Sequence, residues 1–126
     1  MCGIAGIMFK GVTDGAATGK ALIDMLDGCQ HRGPDSTGFA LYGPVTEGQI
    51  RMRFFVGEDN EADGAVERIQ NTLREQSAHI IADQRTGNTY QVTVAFDGDL
   101  RTLAYAVEHA AKVFSIGTSL DIIKDV

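Results

Sequence analysis

Between Gln49 and Ile116 the spacing of apolar residues switches repeatedly between period two and helical spacing. The order of those switches limits the possible folds of this 126-residue chain more than any other feature. Ile50, Met52, Phe54 and Val56 alternate with Arg51, Arg53 and Phe55, as in a strand with one buried face. A polar stretch follows, and Val66, Ile69, Leu73 and Ile80 mark one side of a helix that runs at least to Ser77. His79 to Arg85 reads as a second strand, and Thr86-Gly87-Asn88 as a hairpin turn of favoured composition. Tyr90, Val92, Val94 and Phe96 alternate with Gln91, Thr93 and Ala95 in a third strand. Asp97-Gly98-Asp99 then turns the chain, with Asp99 placed as a helix N-cap. Leu100, Leu103, Ala104 and Val107 form the next helical stripe, and Lys112 to Ile116 a fourth strand.

Strand–helix–strand–strand–helix–strand is the split βαβ, ferredoxin-like order, an antiparallel four-stranded sheet with two helices on one face. We place this module at residues 48–118. Residues 119–126 end without a cap or turn and read as the start of a return segment, as if the chain were interrupted midway. Ahead of the module, residues 2–9 read as a short strand, apolar on both faces and so buried between two layers. A glycine-rich turn from Gly11 to Gly19 leads into a helix whose stripe is Leu22, Met25, Leu26 and Cys29. His31 to Gly38 holds no apolar residue and should be a loop, after which Phe39-Ala40-Leu41-Tyr42 returns to strand, closed by Gly43-Pro44. One helix and two strands bury too little surface to fold alone, so residues 1–47 need a partner.

Charge and composition exclude several functions. Eleven Lys and Arg against seventeen Asp and Glu leave a net charge of −6, with no basic patch for nucleic acid. The longest apolar run, Ile4 to Phe9, is far short of the roughly 18 residues of a membrane span. Met1 is followed by Cys-Gly with no basic start or cleavable apolar run, so we expect a cytoplasmic protein with Cys2 and Cys29 reduced. The three histidines (His31, His79, His109) share no metal-ligand spacing with either cysteine, and neither a metal nor a cofactor is expected.

Two partial motifs lack the residues they need. A phosphate loop ending at Gly19-Lys20 would need Gly at Asp14 and Ser or Thr at Ala21. A calcium loop from Asp59 has Glu61 at its third position and Gln70 where a bidentate Glu is required. His109 suits the C-terminal end of the last helix as a cation facing the helix dipole. Arg51 and Arg53, beside Phe55, could bind an anion, but the plainer reading is a solvated sheet face.

Cys2 carries the chemistry. Loss of Met1 would give one residue both a thiol and a free α-amine, whose ordinary pKa near 8 lets it accept a proton at neutral pH. Nucleophile and base then reside together, and the thiolate is the attacking species. Gly3 lets backbone approach a substrate closely. Taken alone, Cys2 reads more readily as a small apolar residue that starts a strand, since cysteine is often buried and inert.

Cys2-Gly3-Ile4-Ala5-Gly6-Ile7, together with His31-Arg32-Gly33-Pro34-Asp35-Ser36-Thr37-Gly38, resembles the class II glutamine amidotransferases, which are N-terminal-nucleophile hydrolases. The match covers residues 1 to about 42, and a H-R-G-x-D loop follows the first helix in both. The resemblance implies an α+β protein in which a partial αββα-type segment, residues 1–47, precedes the ferredoxin-like module. It implies glutamine as substrate, Cys2 as nucleophile, a γ-glutamyl thioester, and ammonia passed to a synthase or synthetase partner. Arg32 and Gly33 match the segment that positions the nucleophile, and His31 and Asp35 shape that loop. The H-N-G strand end that supplies the family's oxyanion donors, and the Arg with nearby Thr or His that grips the glutamine carboxylate, have no counterpart in residues 43–126. Phe96-Asp97-Gly98 has Phe and Asp instead, and an Asp there would repel an oxyanion. We therefore expect this stretch alone to be inactive. Short amidotransferase subunits of glutamate-synthase-like enzymes resemble it in carrying such an insertion. The alternative is a non-catalytic ferredoxin-like module for ligand sensing or subunit docking.

Overall fold

In a computed structural model that describes residues 3–11, 15–32, 37–57 and 59–124, the alternation along Gln49–Phe55 is realised as strand β2, with every second residue buried. The described residues contain three α-helices and two antiparallel sheets, a mixed α+β arrangement. They divide into two compact units, one within residues 1–37 with 125–126 and the other Gly38–Lys124.

In the first unit the helix α1 spans Gly15–Asp27 and buries Leu22. Cys29 is half-buried and its N–H donates to Leu26 O at 2.8 Å, closing the helix end before a single 3₁₀ turn, Gln30–Arg32. The strand expected at residues 2–9 is not formed over Gly3–Phe9: Ile4 is 95% and Met8 85% exposed. A strand apolar on both faces requires a ladder partner and a layer on each side. Among the described residues of this unit, one helix offers neither.

In the second unit, β1 (Gly38–Tyr42) pairs antiparallel with β6 (Leu120–Lys124), Phe39 opposite Ile123 and Tyr42 opposite Leu120. The larger sheet has strand order β3 (His79–Thr86), β4 (Thr89–Ala95), β2, β5 (Lys112–Gly117), with all neighbours antiparallel. Helices α2 (Asp59–Glu75) and α3 (Leu100–Ala110) cover one face. The core between them holds Ile50, Met52 and Phe54 of β2, Tyr90, Val92 and Val94 of β4, Ile69 and Leu73 of α2, and Leu103 and Val107 of α3. Phe54 and Tyr90 are cross-strand partners with ring centroids 6.5 Å apart, a contact that adds to their area burial. On α2 the innermost positions are Ala62, Ala65, Ile69 and Leu73, so the buried stripe begins on small residues ahead of Val66. Alanine there lets the helix lie close to the sheet.

Local chemistry sets the element ends. Asp99 accepts from the Thr102 N–H at 3.0 Å and so caps α3, as its position predicts. At the end of α2, Ser77 adopts φ 60°, while Ser77 N–H bonds Arg74 O and Ala78 N–H bonds Leu73 O. This is a Schellman closure with serine at the left-handed position that usually takes glycine. The hairpin between β3 and β4 turns on Gly87 and Asn88, with Gly87 at φ 57° as a two-residue turn led by glycine requires.

Candidate functional site

Two of the three residues that the motifs single out, Cys2 and Gly33, lie outside the described residues, as do Pro34, Asp35 and Ser36. Arg32 closes the 3₁₀ turn that follows α1, and His31 beside it is exposed. The motif segment is bounded by that turn on one side and by Gly38, the first residue of β1, on the other.

The described residues bring together a different polar group, which the sequence reading missed. Arg53 projects from β2 on the sheet face opposite the core and donates Nε to Asp121 Oδ1 at 2.7 Å and Nη2 to Oδ2 at 2.8 Å. Its Nη2 also donates to Gln91 Oε1 at 2.9 Å, and Gln91 Nε2 donates to Asp121 Oδ2 at 3.3 Å. The side chains of Arg53 and Asp121 are only 11% and 18% exposed. Arg53 is therefore not on a solvated sheet face: a bidentate carboxylate engages it, and Asp121 belongs to β6. Asp121, flanked by Leu120 and Ile122 in an apolar run, was the available signal. Beside it Ser115, buried on β5, accepts from the Ile122 N–H at 3.2 Å, which holds β6 against the larger sheet. Arg51 instead donates to Pro44 O at 3.3 Å and lies over Gly43, where a Cβ would come within 2.8 Å of Nη1.

On the helix-covered side, Tyr90 OH donates to Asp83 Oδ2 at 3.0 Å and accepts from Gln70 Nε2 at 3.1 Å. Burial, with a smaller contribution from Asp83, pushes the Tyr90 phenol up to about 12. Bonds from Thr102 hold the Asp99 carboxyl below its ordinary range.

The rejected motifs have structural explanations. Gly15 to Ala21 lies inside α1 and Asp59 to Gln70 inside α2, so neither segment is a loop that could wrap an ion or phosphate. Among the described residues no group of three or more His, Cys, Asp or Glu side chains could hold a metal, and no helix is long and apolar enough to cross a membrane. Asp97 and Gly98 lie between β4 and α3, where a Cβ on Gly98 would come within 2.6 Å of the Phe96 ring. His109 occupies the last turn of α3, its Nδ1 2.7 Å from Tyr105 O.

Comparison with known proteins gives two relatives of one kind. The chain is 29% identical over 132 residues, its whole length, to the glutamine amidotransferase-like protein GlxB of Rhizobium meliloti. It is 53% identical over 45 residues to a putative glutamine amidotransferase of Methanothermobacter thermautotrophicus. The similarity supports kinship with glutamine amidotransferases. The chain spans 41% of the length of the first relative and 14% of the second. No family model matches. Among solved structures, the CheA P2 domain in complex with CheY from Thermotoga maritima aligns at a TM-score of 0.47 and 13% identity, over 61% of this chain and 96% of that one. A putative C-terminal regulatory domain of aspartate kinase from Porphyromonas gingivalis aligns at 0.48 and 9% identity, over 71% and 60%.

Proposed function

We propose that this chain is the first part of a class II glutamine amidotransferase, interrupted by a ferredoxin-like module. The observation that carries the reading is the pairing of Cys2-Gly3-Ile4 with His31-Arg32-Gly33-Pro34-Asp35, in a chain similar over its whole length to a protein named as amidotransferase-like. The strand order of the larger sheet supports the module at residues 48–118, and the β1–β6 ladder supports residues 119–126 as the segment that returns to the first part.

In this reading, removal of Met1 frees the α-amine of Cys2, which takes the thiol proton as sulfur attacks the side-chain amide carbon of glutamine. The C–N bond breaks as that proton passes to the leaving nitrogen, and ammonia departs from a γ-glutamyl thioester. Water then hydrolyses the thioester to glutamate and regenerates the thiol. Arg32 and Gly33 hold the nucleophilic residue in place. The ammonia goes to a synthase or synthetase partner in the cytoplasm. Oxyanion donors must come from residues other than 43–126, and losing one such donor typically costs 10²–10³ in rate. The 126 residues alone therefore turn over no glutamine.

The test uses the protein at the full length of its relatives. A γ-glutamyl electrophile should modify Cys2, and Cys2→Ala should abolish ammonia release from glutamine. Glutaminase activity that persists with Cys2 unmodified would overturn the assignment. The missing H-N-G favours a second reading, a ferredoxin-like docking or sensing module with inherited motifs. It predicts partner or effector binding with no glutaminase activity at any length, and a Met1 that stays on the chain.

A further inference from the structure

Among the described residues, strand β3 lies at the edge of the larger sheet with β4 as its one neighbour, and Ile81 to Thr86 are all exposed. Thr86 and Thr89 flank the two-residue turn and so exchange backbone bonds with each other. Alternation then directs the N–H and C=O of Arg85 and Asp83 to the side away from β4. A register shift between Ile80 and Ala82 confines the regular, pairable stretch to Ala82–Thr86.

We propose that this edge joins two copies of the chain. The two β3 strands pair antiparallel about a two-fold axis at Gln84, forming one continuous eight-stranded sheet. In that register Asp83 of each copy lies opposite Arg85 of the other, Ala82 opposite Thr86, and Gln84 opposite itself. Asp83 and Arg85 are the residues whose backbone groups face outward, so both pairs are hydrogen-bonded ones, with Cα atoms about 5.5 Å apart. Opposite charges at such positions stabilise a pair, and like charges oppose it.

The neighbouring registers fail on the same two criteria. Centring the axis on Asp83 sets carboxylate against carboxylate, and centring it on Arg85 sets guanidinium against guanidinium. Centring between residues matches outward-facing groups with inward-facing ones and leaves the backbone unbonded. Asp83 keeps its bond from Tyr90, and Arg85 keeps Asp63, itself 86% exposed, within the same charged cluster. On the face away from the helices, Ala82, Gln84 and Thr86 are small or neutral and bring no charge into the joint. The other edge strand, β5, is engaged by β6 through Ser115.

Sedimentation of the full chain over a concentration series should show a reversible monomer–dimer equilibrium. Arg85→Glu should weaken it about tenfold by setting Glu against Asp83, and adding Asp83→Arg should restore it. Gln84→Cys should form an intermolecular disulfide under mild oxidation, because a non-hydrogen-bonded pair holds its Cα atoms about 4.5 Å apart. Ala82→Cys or Thr86→Cys alone should not cross-link, whereas a mixture of the two should. The unsubstituted chain, with Cys2 and Cys29, sets the background. A chain monomeric throughout the series overturns the proposal. So does an Arg85→Glu chain that dimerises unchanged, or cross-linking at Gln84→Cys no greater than at Ala82→Cys. If the charge-swapped chain fails to unfold cooperatively, the cross-linking set decides by itself, since its substitutions are exposed and leave the Tyr90 bond intact.

Discussion

Tyr90 carries the heaviest polar load of any core residue: its ring is sealed against Phe54, and its hydroxyl joins β4 to Asp83 of β3 and Gln70 of α2. Tyr90→Phe keeps the ring and removes the hydroxyl, which leaves the Asp83 and Gln70 groups without that partner. Each ordinary hydrogen bond contributes about 1 kcal/mol, so urea denaturation should show a loss of about 1–2 kcal/mol at unchanged slope. The same phenol gives stability a pH dependence at the alkaline end. Its folded-state pKa, raised from 10.0 to about 12, means the unfolded chain loses this proton first. The contribution is complete below pH 10 and is lost as pH rises toward 12, a loss that the Tyr90→Phe chain should lack when the two are compared by thermal melts. Asp99 acts in the opposite direction. Its lowered pKa gives a contribution present above pH 3.8 and lost as pH falls below it.

Among the elements, α2 combines a strong buried stripe with a strained end. Serine in the left-handed region crowds Cβ against the following carbonyl, a penalty glycine does not have. Ser77→Gly should therefore raise stability by roughly 0.5–1 kcal/mol despite the entropy glycine adds to the unfolded chain. Chemical denaturation would check this, and a decrease would mean the Ser77 side chain makes a compensating contact. The element order from β2 to β5 was legible because each segment shows its own period over enough residues to decide it. Gly3–Phe9 was misread for a related reason. An apolar run states that a segment prefers burial, but a strand also needs a neighbouring backbone, and the local residues do not specify one.

At the scale of the whole Gly38–Lys124 unit, the Arg53–Asp121 pair joins the small β1–β6 sheet to the large one. Asp121→Asn would leave the Arg53 guanidinium largely buried without its carboxylate, a change that costs about 2 kcal/mol for a pair not wholly removed from water. Hydrogen exchange should place the damage. Amides of β6, including Ile122, should exchange faster while those of β2 and β4 change little; uniform acceleration would mean that the two sheets unfold as one. This pair also explains what sequence reading missed. Arg53 alternates with core residues and so was assigned to the outer face correctly. Its fate there depended on a carboxylate 68 positions away along the chain.

The residues by themselves determined the periods, the turn chemistry, the cap at Asp99 and the inward set Ile50, Met52, Phe54, Tyr90, Val92 and Val94. Each of these follows from interactions within a few residues or from the cost of exposing apolar surface. They also carried the only signal for Cys2, Arg32 and Gly33, because that signal is a pattern of residue types rather than a geometry. Tertiary structure decided which apolar runs found a ladder, where β6 came to rest, and which arginine lost its water. Those outcomes are pairings between distant segments, and pairing energy exists only once both partners have been brought together.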